Sequence, residues 1–182
     1  MTPSSGPRKR LRLENYNYST KGAYFVTIDL KSDILFGYIR ENKVKYNKAG
    51  FIAVEAWKQI PMHYSNIYLD EYIVMPDHVH GIILILKDFD SEKTNKGHYG
   101  QLSKIIKSFK EVVTKEIKAE IPKCSFGWQR SFYDHIIENE AELIQIRKYI
   151  IENPEKASIK YRSRWNQTIF GGETMLQRQL VS

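Results

Sequence analysis

The stretch from His78 to Leu86 constrains this chain most. From Val79 onward it holds no charged residue, and it closes with Ile82-Ile83-Leu84-Ile85-Leu86, so it reads as a strand inside a core. It is too short to cross a bilayer, and no run of eighteen apolar residues occurs among the 182. Met75-Pro76-Asp77 separates it from a second strand region, Tyr68 to Val74, because proline cannot donate to a central ladder.

A core strand needs partners, and the rest of the chain supplies them. Ala23 to Leu30 is rich in β-branched and aromatic residues and predicts a strand. Phe36–Arg40 and Lys43–Tyr46 flank Glu41-Asn42, a tight hairpin turn. Residues 128–137 predict a further strand. Ala49 to Met62 spaces Phe51, Ile52, Val54, Trp57 and Ile60 as a helix does, and Pro61 is expected to end it. Leu102 to Ile117 is amphipathic, with Leu102, Ile105, Ile106, Phe109, Val112, Val113 and Ile117 on one face and Lys104, Lys107, Lys110 and Lys115 on the other. Asn139 caps a last helix that Pro154 is expected to stop at about Asn153. Residues 87–100 read as a polar loop, and residues 1–21 lack periodicity. With 42% apolar residues and 23 aromatics the chain can build a true core. The order of elements predicts an α+β fold, a central antiparallel sheet with helices mainly on one face. It also predicts a domain over 22–154 between a basic arm, 1–21, and a basic extension, 155–182.

The charge of +7 lies wholly in those two ends. The arm carries +4 through Arg8, Lys9, Arg10, Arg12 and Lys21 against Glu14. The extension carries +3, with Arg162 and Arg164 among its cations, and 22–154 is balanced at 18 against 18. Basic ends gain from contact with a polyanion, because counterions are released; solubilising tails are the alternative. The N-terminus has no apolar core of a secretory signal, and the single cysteine, Cys124, excludes an internal disulfide or a Cys-based zinc cluster. A cytoplasmic location is expected. Neither a P-loop nor a Gly-x-Ser-x-Gly elbow is present.

Three constellations could carry chemistry. His78 and His80 are two apart in a strand, so both imidazoles face one side and could share an ion; two satisfied histidines at a strand end are the other reading. Tyr149 and Asn153 are four apart on a helix and therefore neighbours. Tyrosine can act as a nucleophile, and an Asn carbonyl is a hard donor suited to Mg²⁺ or Mn²⁺; packing and capping are the plain alternatives. Lys104, Lys107 and Lys110, with Trp128 and Arg130 of the aromatic strand, could face and stack nucleic acid, or simply be solvated and packed.

Several segments, in this order and spacing, resemble one family. They are Gly22-Ala-Tyr-Phe-Val-Thr-Ile, Leu35-Phe-Gly-Tyr-Ile with Asn47-Lys-Ala-Gly, Tyr72-Ile-Val-Met-Pro-Asp-His-Val-His-Gly, Ser108-Phe-Lys, and Trp128-Gln-Arg-Ser-Phe-Tyr-Asp-His-Ile-Ile with Ile146-Arg-Lys-Tyr-Ile-Ile-Glu-Asn-Pro. Over roughly residues 12 to 154 the chain resembles the REP-associated tyrosine transposases, a branch of the single-tyrosine HUH endonucleases related to transposases of single-strand insertion sequences. The resemblance implies a ferredoxin-like HUH nuclease fold. It puts His78 and His80 on the metal-binding histidines, Tyr149 on the nucleophile and Asn153 on the third ligand. It implies a bacterial enzyme, at the nucleoid when bound. That enzyme cuts and rejoins single-stranded DNA at palindromic hairpin repeats through a 5′-phosphotyrosine, with Mg²⁺ or Mn²⁺. A monomer is favoured over a homodimer. Two other readings stay open at this point: a hairpin-DNA-binding protein without catalysis, and a metal-dependent nuclease using activated water.

Overall fold

The computed structural model describes residues 21–87 and 100–170, the last part, 159–170, by its backbone alone. In chain order the elements are β1 (Gly22–Asp29), β2 (Gly37–Arg40), β3 (Lys43–Tyr46), α1 (Lys48–Lys58), α2 (Ile60–His63), β4 (Ile67–Val74), β5 (His78–Ile85), α3 (Gln101–Glu120), β6 (Tyr133–Ile137) and α4 (Glu140–Phe170). The apolar run becomes β5, an inner strand of a four-stranded sheet of order β4-β5-β1-β6. Every pairing in that sheet is antiparallel. The β2–β3 hairpin is a separate two-stranded ribbon.

Alternation along β5 separates two environments. Val79, Ile83 and Ile85 point into the larger core, where Ala53, Trp57, Leu102, Ile105, Ile106 and Phe109 of α1 and α3 meet Tyr24, Val26 and Ile28 of β1. His78, His80, Ile82 and Leu84 point to the other face, where Ile82 joins Phe25, Ile137 and Ile150 in a small cluster under α4. The fold is therefore α+β as expected, with α1 and α3 on one face and α4 on the other. Gly81 faces the larger core, and its lack of a side chain is what admits the fully buried indole of Trp57.

Three boundaries differ from expectation. Pro61 does not end the helical region. It sits in the first turn of α2, where its missing N–H is no loss. The strand expected over 128–137 shortens to β6, and Trp128 keeps only an isolated bridge to Leu30. In that segment the Lys110 ammonium donates to the carbonyls of Gln129 and Ser131 at 2.9 and 3.0 Å, which occupies backbone acceptors outside the ladder. Finally, Pro154 lies inside α4 rather than after it. Glu152 pairs with Lys148 before the proline and with Lys156 after it, at 3.7 and 3.0 Å, which ties together the turns on either side of the lost hydrogen bond. The boundary expected at 154/155 thus falls within one helix. Nearly all of the arm and loop expectations (1–21, 87–100) lie outside the described residues.

Candidate active site

The histidine pair is positioned by the turn before it. Carbonyls of Pro76 and Asp77 accept from the N–H groups of Phe36 and Leu30 at 2.8 and 2.9 Å, and Met75 N–H donates to His78 O at 2.8 Å. β5 therefore starts at a fixed point, with His78 across from Asp29 and His80 across from Thr27 of β1. The two Nε2 atoms lie 3.0 Å apart. Each outer nitrogen has its own partner: His78 Nδ1 is 2.7 Å from Asp77 Oδ1, and His80 Nδ1 is 2.9 Å from Thr27 Oγ1.

Proton placement decides what this pair can do. His78 Nδ1–H donates to the Asp77 carboxylate, which leaves Nε2 as the nitrogen that offers a lone pair whenever that ring is neutral. If His80 carries its proton on Nδ1 and donates to Thr27, its Nε2 offers a second lone pair aimed at the same region. Burial, and next the neighbouring His78, push His80 down to about 3 against the opposing pull of Asp77, so its imidazole is neutral at ordinary pH. A neutral ring whose outer N–H is oriented by a partner, as in His80, is what a metal ligand requires. The spacing fits as well, since two nitrogens about 2.1 Å from one ion at a right angle are about 3.0 Å apart. Among the described residues no three His, Cys, Asp or Glu side chains form a metal cluster. A third protein donor would have to be of another type.

Tyr149 reaches this pair from α4. Its Oη is 3.4 Å from His80 Nε2, and the two rings meet edge to face at 5.3 Å. Phe25 backs both, stacked on His80 at 5.4 Å and edge-on to Tyr149 at 6.0 Å. Tyr149 remains 40% exposed, which leaves its hydroxyl open to a substrate. Lys156 lies one side of it, its ammonium 5.7 Å from the ring centroid. Asn153 is buried one helical turn beyond Tyr149.

α4 is held where this geometry needs it. Leu143, Ile146 and Ile150 pack on the sheet. Arg147 grips Asp70 with two bonds, Nε to Oδ1 at 2.8 Å and a terminal nitrogen to Oδ2 at 2.6 Å. Asp70 sits in the β-bulge between Leu69 and Tyr72, and such a bulge re-aims side chains. The Arg147 hydrogen bonds hold the Asp70 carboxyl below the usual carboxylate range. Nothing in one sequence links residues 77 apart, so this pair was not foreseen, nor were the supporting roles of Thr27 and Phe25. Asp77 adjoins His78 and carried a signal in its position. His135 of β6 pairs with Glu142 of α4 at 2.6 Å.

The other candidates are not gathered here. Lys104 and Lys107 are exposed on α3, which covers the opposite sheet face, and Lys107 is 3.7 Å from Glu111. Lys110 is half-buried by its backbone contacts, and burial lowers it to about 8. Trp128 packs against Phe36, Phe109 and Phe126, and its indole N–H is shared between Lys110 O and Thr114 Oγ1 at 3.2 and 3.1 Å. Trp128 therefore packs against the core and Lys110 holds the backbone at 129 and 131, while Arg130 is exposed. Arg8, Lys9, Arg10 and Arg12 lie outside the described residues, and so do the side chains of Arg162 and Arg164.

A family model described as IS200-like transposase matches residues 29–153. An uncharacterised protein of Haemophilus influenzae (strain ATCC 51907 / DSM 11121 / KW20 / Rd) is 33% identical over 159 residues, covering 81% of this chain and 88% of that protein. Among solved structures, a REP-associated tyrosine transposase bound to a REP hairpin aligns with TM-score 0.54 at 20% identity, covering 80% of this chain and 74% of that one. At that identity the likeness concerns the fold.

Proposed function

Since this chain belongs to the IS200-like transposase family, we propose that it cleaves and rejoins single-stranded DNA at hairpin-forming repeats, with Tyr149 as nucleophile. The observation that carries this reading is the approach of Tyr149 Oη to within 3.4 Å of His80, beside a paired imidazole site, with all three side chains from one chain. The solved relative bound to a REP hairpin supports the substrate class.

In this reading Tyr149 Oη attacks the scissile phosphorus, forming a tyrosyl–phosphate bond as the bond to the 3′ oxygen breaks. The products are a 5′-phosphotyrosine and a free 3′-OH, and the exposed phenol releases its proton to solvent. The linkage keeps the phosphodiester's bond energy, so the reverse attack by a 3′-OH rejoins strands without ATP. His78, His80 and Asn153 would hold a divalent ion, Mn²⁺ fitting two imidazoles better than Mg²⁺, and that ion supplies Lewis-acid neutralisation of the phosphate charge. Asp77 and Thr27 fix the two ring orientations. Lys156 offers a cation near the same phosphate. Arg8, Lys9, Arg10, Arg12, Arg162 and Arg164 at the basic ends, with Lys104, Lys107 and Arg130, give the domain over 22–154 its contacts to DNA backbone. A tyrosine contributed in cis supports a monomer. Among the described residues no helix is long and apolar enough to cross a membrane.

The test is a denaturing gel of the protein with labelled single-stranded hairpin DNA from repeats flanking its own gene, plus Mn²⁺. Wild type should give a slow, label-bearing protein band and Tyr149→Phe none, with binding intact in both. Binding without a band in wild type would favour a hairpin-binding protein. Cleavage that persists in Tyr149→Phe would favour activated water.

A further inference from the structure

The β2–β3 ribbon carries exposed aromatic and basic side chains on one side. Its register places Tyr38 opposite Lys45 and Arg40 opposite Lys43. Cross-strand partners share a face, and so do residues two apart. Tyr38, Arg40, Lys43 and Lys45 therefore form one square patch, and all four are exposed. Tyr38 is 59% exposed. The alternate positions Ile39 and Val44 are partly buried, so the ribbon has an inner and an outer side. The turn is tight, with Glu41 and Asn42 both in the left-handed region at φ 53° and 58°, which pins the register.

This patch is unfavourable in isolation. Arg40 and Lys43 are like charges directly opposite each other. Among the described residues only Arg40 of the four makes an ion pair, with Glu41 at 3.4 Å, an exposed pair that contributes little. Among the described residues Lys43 and Lys45 have no ion-pair partner. Charges on an isolated ribbon guard its edges against pairing with other chains, but that does not explain an exposed tyrosine set among them. An aromatic face flanked by cations is the chemistry that receives an unpaired base and the phosphates on either side. Both strands also pack against α4, the helix that bears Tyr149.

We propose that Tyr38, Arg40, Lys43 and Lys45 bind the unpaired DNA next to the hairpin, Tyr38 stacking on a base and the three cations meeting the backbone. This rests on the DNA reading given above, and its test is kept separate from cleavage. Fluorescence anisotropy in EDTA, with no ion to support cutting, measures affinity for two probes: a labelled hairpin with a single-stranded tail of about ten nucleotides, and the same hairpin blunt. Three neutralised contacts should lower the slope of log affinity against log salt by about 2 for single-stranded DNA. The R40Q/K43Q/K45Q variant should show that loss on the tailed probe and not on the blunt one. Tyr38→Ala should weaken the tailed probe by at least about fivefold, the lower end for loss of one stacked base. Melting temperatures should be unchanged or raised in the triple variant, since like charges are removed, which separates lost binding from lost folding. An unchanged slope on the tailed probe, or an equal loss on both probes, overturns the proposal. The phosphotyrosine band of wild type, run in parallel, reports on the cleavage reading alone: the ribbon can fail while the band forms, and the band can fail while the ribbon binds.

Discussion

Replacing Gly81 by alanine tests how β5 is seated. A Cβ built at Gly81 falls 2.3 Å from Trp57 Cζ2 and 2.8 Å from Cη2. Carbon atoms ordinarily rest about 3.5–4.0 Å apart, so the overlap is on the order of 1.2 Å. Neither side can yield easily. Trp57 is fully buried, stacked on Tyr72 at 5.9 Å and edge-on to Phe109 at 5.3 Å. Gly81 is paired to Val26 on one side and Tyr72 on the other, so moving the strand disturbs two ladders. Overpacking of this kind costs about 1–3 kcal/mol, and the rigid surroundings place Gly81→Ala at the upper end, near 3 kcal/mol. For a chain of this size that lowers the melting temperature by roughly 6–12 °C. The sharper assay is a double-mutant cycle by urea unfolding. Trp57→Phe shortens the ring that collides and removes an indole N–H that has no hydrogen-bond partner among the described residues. Combined with Gly81→Ala it should recover about 1–2 kcal/mol relative to the sum of the single changes. A Gly81→Ala protein that melts within a degree or two of wild type, or a cycle that is strictly additive, would refute the packing argument.

Two further outcomes follow from the site. Asp70 is held below its ordinary range by Arg147, so the folded state binds that proton less tightly than the unfolded chain. Its stabilising effect is complete above about pH 4 and is lost as pH falls through the lower folded value. Asp70→Asn should melt below wild type at pH 7, and the gap should narrow as pH falls below about 4, where the unfolded carboxylate takes up its proton first; melting curves that stay parallel throughout acid titration contradict this. With Mn²⁺ at about a hundredfold excess over its dissociation constant, wild type should gain about 2.7 kcal/mol, or roughly 5–11 °C in melting temperature. His78→Ala, compared with itself with and without Mn²⁺, should gain almost nothing, and a full shift in that variant means the ion binds elsewhere.

The parts of this fold that could be read in the sequence are those where one local signal decides. The apolar run specified β5, the spacing of Leu102 to Ile117 specified α3, and Glu41-Asn42 marked the hairpin turn. Boundaries failed where a distant group intervened. No local rule announces that Lys110 will take the carbonyls of Gln129 and Ser131, acceptors outside the ladder. Pro154 looks like a stop signal until Glu152 is seen with lysines on both sides. At the site, period two brought His78 and His80 together and resemblance pointed to Tyr149, and the structure brings these three side chains into contact. Trp128 and Lys110 carry the residue types of a DNA surface, but Phe36, Phe109 and Thr114 engage the indole and the carbonyls of Gln129 and Ser131 engage the ammonium.

The sheet is thickly covered on one face and thinly on the other. α4 meets the sheet through a small cluster, with Ile150 buried and Leu143 and Ile146 partly so, and through its Arg147–Asp70 and Glu142–His135 pairs, whereas the opposite face shares the main core with α1 and α3. Local opening free energies follow such differences in buried contact, so in hydrogen exchange the amides of α4 over 140–153 should exchange before those of β5. β5, which carries both histidines, turns its other face into the main core. How often the tyrosine stands over its partners is therefore a local equilibrium. Substitutions at Leu143, Ile146 or Ile150 can retune it over evolutionary time without endangering the scaffold beneath.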